Sequence, residues 1–279
     1  MSKLLLLVGK KHQKKCISKS DVSQSIGDLT IRSECLSEQL RPIASKKLVN
    51  EVFSKMILDE VSNVVKGDTL IIQLGNQWLE KNVGNILKRG VYTSQILRLV
   101  GRFLLNLRKI KPIPGNREPS VWDYLRSQYF ESIVEACILT ASPFLDDEEQ
   151  LKSPSNAIKL GYDIKRLLNG KIGLAIMASD TSSQEDATKV LKLMEIYWGT
   201  KVTKAARVML EARRFYAEKN LPSPEDIKRL NTHLRESITG LDYQNLDNVN
   251  FRRVAELIEA KLIIYNRRRS GEVQAIRYI

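Results

Sequence analysis

The run Asn266-Arg267-Arg268-Arg269-Ser270-Gly271-Glu272-Val273 carries the densest chemistry in this chain. It follows a long apolar helical stretch. An Arg-x-small-Glu-aliphatic turn in that setting can hold a cationic fork over a phosphate. A guanidinium presents planar, paired donors that match two phosphate oxygens, which an ammonium cannot do. The same arginines could instead satisfy the last carbonyls of the helix and complement its dipole. On the triplet alone both readings stay open.

Other chemistry-bearing sets are thin. His12-x-x-x-Cys16 is half of a zinc ligand set, but no cysteine pair precedes it, so four ligands cannot be assembled and no metal is expected. There is no Walker loop, paired acidic motif or His-centred triad, and no cofactor is expected. His233 falls on a polar helix face and reads as solvated, and Trp78, Trp122 and Trp198 fall in helical periodicity and read as core.

Two helices carry basic residues on one face. Arg98, Arg102 and Lys109 share a side of the helix predicted over 93–110, and Lys204, Arg207 and Arg214 share a side of the one over 202–218. An amphipathic basic helix lying along a phosphate backbone has this pattern, and so has any solvated face. The 279-residue chain carries a net charge of +13, and six lysines with no acid within residues 1–20 account for part of it. A chain this basic commonly meets a polyanion, nucleic acid first among them.

The elements that position these residues read as helical. Hydrophobic content of 43% is ample for a packed core. Residues 1–45 are Ser- and Lys-rich and weakly periodic, and are expected to be loose. Apolar residues recur at helical spacing over 46–66, and Ile96, Leu97, Val100, Phe103, Leu104 and Leu107 form one stripe. Asp68–Leu74 is the best strand candidate, though it also reads as helix. Ser153-Pro154 and Ser223-Pro224 place a capping hydroxyl before proline, and Ser182-x-x-Glu185 reads as a capping box. Gly170 and Gly199 are expected to close helices. A last helix, about 247–268, leads into the arginine turn, and residues 220–224 form the best linker. The expected division is therefore 1–45, 46–218 and 219–279. Three scattered cysteines argue for a reducing compartment, and no apolar run approaches the ~20 residues needed to span a bilayer. The chain is expected to be soluble, intracellular and without a membrane partner.

Several segments, in order, resemble a family of transposon-derived animal proteins of the tyrosine-recombinase (phage-integrase, Crypton-like) type. They are Asp68-Thr69-Leu70-Ile71 with Leu74-Gly75; Leu99-x-Gly101-Arg102-Phe103-Leu104; Ser153-Pro154-Ser155-x-Ala157-x-Lys159-Leu160-Gly161-Tyr162; Met194-Glu195-x-x-Trp198; Leu221-Pro222-Ser223-Pro224-Glu225-Asp226-Ile227; and the closing arginine box. The resemblance implies an all-α chain: a helical, SAM-like core-binding domain that grips duplex DNA, then the first helices of an integrase-type catalytic domain. It implies a nuclear location. It maps the first catalytic arginine onto Arg269, a clamp for charge developing on the scissile phosphate, with Glu272 holding the turn.

The sequence departs from that family at both ends. The further lysine, His-x-x-Arg box and tyrosine nucleophile would lie beyond Ile279, and Tyr265 and Tyr278 are misplaced for the nucleophile. The expectation is a DNA-binding fragment that is catalytically incomplete alone, with self-association or a second chain supplying the missing segment as further partners. Lys11-His12-Gln13-Lys14-Lys15-Cys16 resembles the last half of a relative's zinc finger. The competing expectation is a helical protein-interaction module with no nucleic-acid role.

Overall fold

The computed structural model describes residues 43–84, 86–115, 118–142, 151–217, 222–241 and 247–266. These residues are helical throughout their regular structure, with no strand among them, so the described part of the chain is all-α. The Asp68–Leu74 ambiguity resolves as helix, because Asp68 caps a helical start. Contacts divide the chain between Tyr216 and Ala217 into two units, described separately below.

The first unit comprises α1 (Lys46–Glu51), α2 (Glu60–Gly67), α3 (Thr69–Lys81), α4 (Ile86–Ile110), α5 (Val121–Tyr124), α6 (Phe130–Ala141), α7 (Pro154–Met177), α8 (Thr181–Leu193), a π-helical stretch (Met194–Thr203) and α9 (Lys204–Tyr216). The periodic stretch 46–66 is two helices rather than one. The first ends at Glu51 and a 3-10 turn (Phe53–Lys55) follows; Asp59 then starts α2 through a reciprocal box: its carboxylate accepts from Ser62 N at 2.8 Å, and Ser62 Oγ accepts from Asp59 N at 3.0 Å. Around α4 pack α2, α3 and α6, while α7 packs on α3, α6, α8 and α9. Leu97, Val100, Phe103, Leu104 and Leu107 are fully buried, so the stripe read from sequence is the core face of α4. The helix itself starts seven residues before the predicted 93.

Two glycines mark where helices come closest. A Cβ on Gly101 would lie 2.8 Å from Val65 Cγ2 and 3.3 Å from the Val61 carbonyl, so α4 crosses α2 in near backbone contact. A Cβ on Gly161 would lie 2.6 Å from Trp198 Nε1, which lets the buried indole rest on the α7 backbone.

The four-residue helix α5 is held at both ends by buried charge. Asp68 Oδ1 accepts from Leu70 N and Ile71 N, each at 3.0 Å, capping α3, while its Oδ2 accepts from Val121 N at 2.7 Å. At the other end Lys171 of α7 donates from Nζ to the carbonyls of Trp122 (3.0 Å) and Leu125 (2.8 Å), with its ammonium 5.1 Å from the Trp122 ring. A cation at a helix C-terminus complements the dipole. Burial draws Lys171 down to about 8.

Several sequence-based expectations are corrected. The start of α8 is capped by Asp180, whose carboxylate accepts from Ser183 N at 3.0 Å, and not by Ser182, which lies inside the helix. Gly170 is buried within α7, where its missing side chain makes room for Gln73 of α3. Gly199 lies inside the π-helical stretch, so the chain widens its turns there instead of stopping. Trp198 is core, whereas Trp78 and Trp122 are half-buried against it.

The second unit is a pair of packed helices, α10 (Pro224–Thr239) and α11 (Asn248–Asn266). Ser223 caps α10 in a reciprocal box with Asp226 (3.1 Å each way through the backbone amides), with Pro224 in the first turn. Leu234 is the buried residue of α10. The apolar residues of the last helix are only partly covered: Val254, Leu257, Leu262 and Ile263 are half-buried and Ile258 is exposed. A pair of short helices has too few facing side chains to enclose its apolar stripes.

Asp68→Ala should lower the unfolding free energy by about 2–4 kcal/mol, because it removes a cap and leaves the buried Val121 amide without its acceptor. Denaturant unfolding of the two proteins checks this. A loss no larger than that of an exposed cap, such as Asp226→Ala, would show that Asp68 does not join α3 to α5.

Candidate nucleic-acid interface

The basic side chains of α4 do not act as one set. Arg98 makes a two-point pair with the Asp59 carboxylate, Nη1 to Oδ1 at 3.0 Å and Nη2 to Oδ2 shorter still. That hydrogen bond holds Asp59 below the usual carboxylate range and Arg98 above its ordinary value. Arg98 therefore ties α4 to the start of α2. Arg102 and Lys109 are exposed and make no hydrogen bond or ion pair among the described residues. Although Arg102 is exposed by surface area, partial desolvation by the side chains around its base, and Arg98 beside it, draw it below its ordinary value.

On α9 the exposed Lys204, Arg207 and Arg214 are likewise unpaired among the described residues. Ala206 turns inward on the opposite side, and Arg213 reaches back to the carbonyls of Leu151 (2.7 Å) and Lys152 (3.0 Å). The exposed Phe215 and Tyr216 pack edge to face at the end of the helix.

A feature not anticipated from sequence lies between α3, α4 and α7. It is an open cleft of about 640 Å³. Arg89, Tyr92, Gln95, Leu99 and Arg102 come from one face of α4, at steps of three and four residues. Asn156, Lys159, Tyr162, Asp163 and Arg166 come from one face of α7 at the same steps. Trp78 of α3 and Asn82, which caps its C-terminus, complete the lining. A sequence signal existed, two helical stripes mixing aromatic, amide and cationic residues, but a search for apolar stripes and basic faces passes over it.

Two of the four cations in the cleft are already matched. Arg89 makes a fork to Glu51, Nε to Oε2 at 2.7 Å and Nη2 to Oε1 at 2.5 Å, and this holds Glu51 below its ordinary value. Arg166 Nη1 lies 2.6 Å from Asp163 Oδ1, with its guanidinium 4.8 Å over the Trp78 ring. The Asp163 side chain is 3% exposed, and burial pushes its carboxyl up to about 6 against the nearby Arg166 and Lys159. The unmatched charge is that of Arg102 and Lys159, both at the exposed edge. The indole Nε1–H of Trp78 is buried without an acceptor among the described residues.

Other expectations find no site here. Arg269, Glu272, His12 and Cys16 lie outside the described residues. His233 is exposed on α10. Cys137 is buried on α6 and its thiol is pushed up to about 12 by burial, so it is not a ready nucleophile. Among the described residues no three His, Cys, Asp or Glu side chains gather as a metal site would require, and no helix is long and apolar enough to cross a membrane. No protein-family model, curated protein or solved structure matches this chain.

The Asp163 shift has a signed consequence. Its folded-state value is raised from 3.8 to about 6, so the stability it contributes is complete below about pH 4 and is lost as pH rises through about 6. Asp163→Asn cannot titrate. The stability difference between the two proteins should therefore move in favour of the variant from pH 4 to pH 7, measured by denaturant midpoints. Movement in the opposite direction would mean that the Arg166 pair outweighs burial.

Proposed function

We propose that this chain is a DNA-binding protein of tyrosine-recombinase type, whose first unit serves as the helical core-binding domain and grips the duplex through exposed cations on α4 and α9. One observation carries the reading. Arg102, Lys109, Lys204, Arg207 and Arg214 all stand exposed and without an ion-pair partner among the described residues. Cations left unpaired on rigid helices hold fewer acidic competitors that a phosphate would have to displace. The binding is electrostatic and largely independent of base sequence, because exposed lysines and arginines on helix faces engage phosphates rather than base edges. The recombinase lineage rests on the ordered motif segments, of which the Gly101 and Gly161 segments also have a packing role. The intracellular, nuclear location follows from the same reading.

A second reading has its own observation. In the second unit Ile227, Leu230, Val249, Phe251 and Ile258 are exposed to 44% or more. Such a surface suits a protein partner, and the chain would then be a helical interaction module.

Duplex binding followed by fluorescence anisotropy across a salt series separates these readings. The slope of log affinity against log salt should be about −0.9 per neutralised phosphate. Replacing Lys109, Lys204 or Arg207 with glutamine should each flatten it by about one contact. Arg98→Gln should instead lower thermal stability and leave the slope unchanged. Absence of duplex binding at low salt would remove the DNA reading and leave the interaction module.

A further inference from the structure

We propose that the cleft between α3, α4 and α7 is a binding site for a single phosphorylated nucleoside, its base held against Tyr92 and Tyr162 and its phosphate between Arg102 and Lys159. This goes beyond the duplex-binding surface, with which it shares Arg102 but not Tyr92, Tyr162 or Lys159. The volume of about 640 Å³ falls within the range of about 300–1,000 Å³ common to small-molecule sites.

The lining fits both halves of the ligand. Tyr92 on α4 and Tyr162 on α7 line the cleft and are 50% and 58% exposed, so neither is buried in the core. Base–aromatic stacking is tolerant of base identity, since every base has a π-face. The Trp78 ring is already covered by Arg166, so it forms a wall rather than a second platform. Gln95 and Asn156 offer carboxamides, each with donor and acceptor atoms, suited to a base edge.

The charge balance sets the size of the anion. Arg89 is matched by Glu51 and Arg166 by Asp163, which leaves Arg102 and Lys159 as the two unmatched cations. Two cations suit one phosphate. A triphosphate would bring more charge than the cleft balances, and a duplex could not enter it. The same chemistry is presented by a free nucleoside monophosphate and by an unpaired nucleotide within a single strand.

The test is titration of the full chain at low salt with deoxyadenosine monophosphate, deoxyadenosine, inorganic phosphate and a four-nucleotide oligo-dA, followed by calorimetry. The monophosphate should bind more tightly than either of its halves. Tyr92→Ala with Tyr162→Ala should weaken it by roughly ten- to a hundredfold, the scale of lost stacking. Both tyrosines are exposed, so the double variant should fold, which circular dichroism verifies. Arg102→Gln with Lys159→Gln should abolish the advantage over deoxyadenosine. An oligonucleotide bound at least tenfold more tightly than the monophosphate, with the same tyrosine dependence, identifies a strand as the source; equal binding identifies the free nucleotide. Lys204→Gln with Arg207→Gln should leave monophosphate binding unchanged, so loss of duplex binding and loss of this site are separable. Equal binding of phosphate and monophosphate, no effect of the tyrosine pair, or no binding of any probe would each overturn the proposal.

Discussion

The first unit depends on one short element held by two buried charges. Helix α5 has four residues, too few to nucleate or persist alone. Asp68 supplies its first amide with an acceptor and Lys171 supplies its last carbonyls with a donor. These groups come from the start of α3 and the middle of α7, 53 and 46 residues away from their partners. A helix that cannot stand by itself thus joins two longer helices. Neither charge is exposed, and each is compensated by backbone groups that would otherwise be orphaned by burial. Burial nonetheless moves both toward neutrality, Asp68 upward and Lys171 downward. The hydrogen bonds therefore offset much of the desolvation cost without removing it.

With α3 and α7 tied in this way, the cleft becomes a matter of register. Along α4 and α7 the buried faces are mostly apolar, with Thr93, Asp163 and Lys171 as buried polar exceptions, and the cleft-lining residues run alongside. Gly101 and Gly161 let neighbouring groups approach the α4 and α7 backbones closely, while Trp78, Tyr92 and Tyr162 line the cleft. The ion pairs Glu51–Arg89 and Asp163–Arg166 then fix the cleft walls, since each holds an arginine that would otherwise sweep the opening.

Much of the helical architecture was legible because a 3.6-residue apolar period is a local signal. The α4 stripe, the Ser223-Pro224 start and the helical answer for Asp68 all follow from residues within a turn or two. What failed involved competition or distance. Asp180 and Ser182 are both capping types two residues apart, and the carboxylate took the role. Gly170 and Gly199 read as stops, yet one makes room for a side chain of another helix and the other sits in a widened turn. Arg98 reads as a surface cation until Asp59, 39 residues earlier, is placed beside it. The cleft is harder still: each stripe is visible in its own helix, but their facing is a property of the tertiary fold.

The π-helical stretch between α8 and α9 also governs how the surface is presented. A π turn takes more residues than an α turn, so the angular phase of everything after it lags behind that of an unbroken helix. Met194, Trp198 and Val202 remain in the core across the stretch, which anchors the inner side while the winding changes. The same residues wound as α-helix would carry Lys204, Arg207 and Arg214 around the axis and off the side they occupy. The azimuth of that charge is therefore encoded in the winding upstream of it. A substitution that tips the balance between the two windings, at Gly199 above all, would redirect the positive face without altering any charged residue.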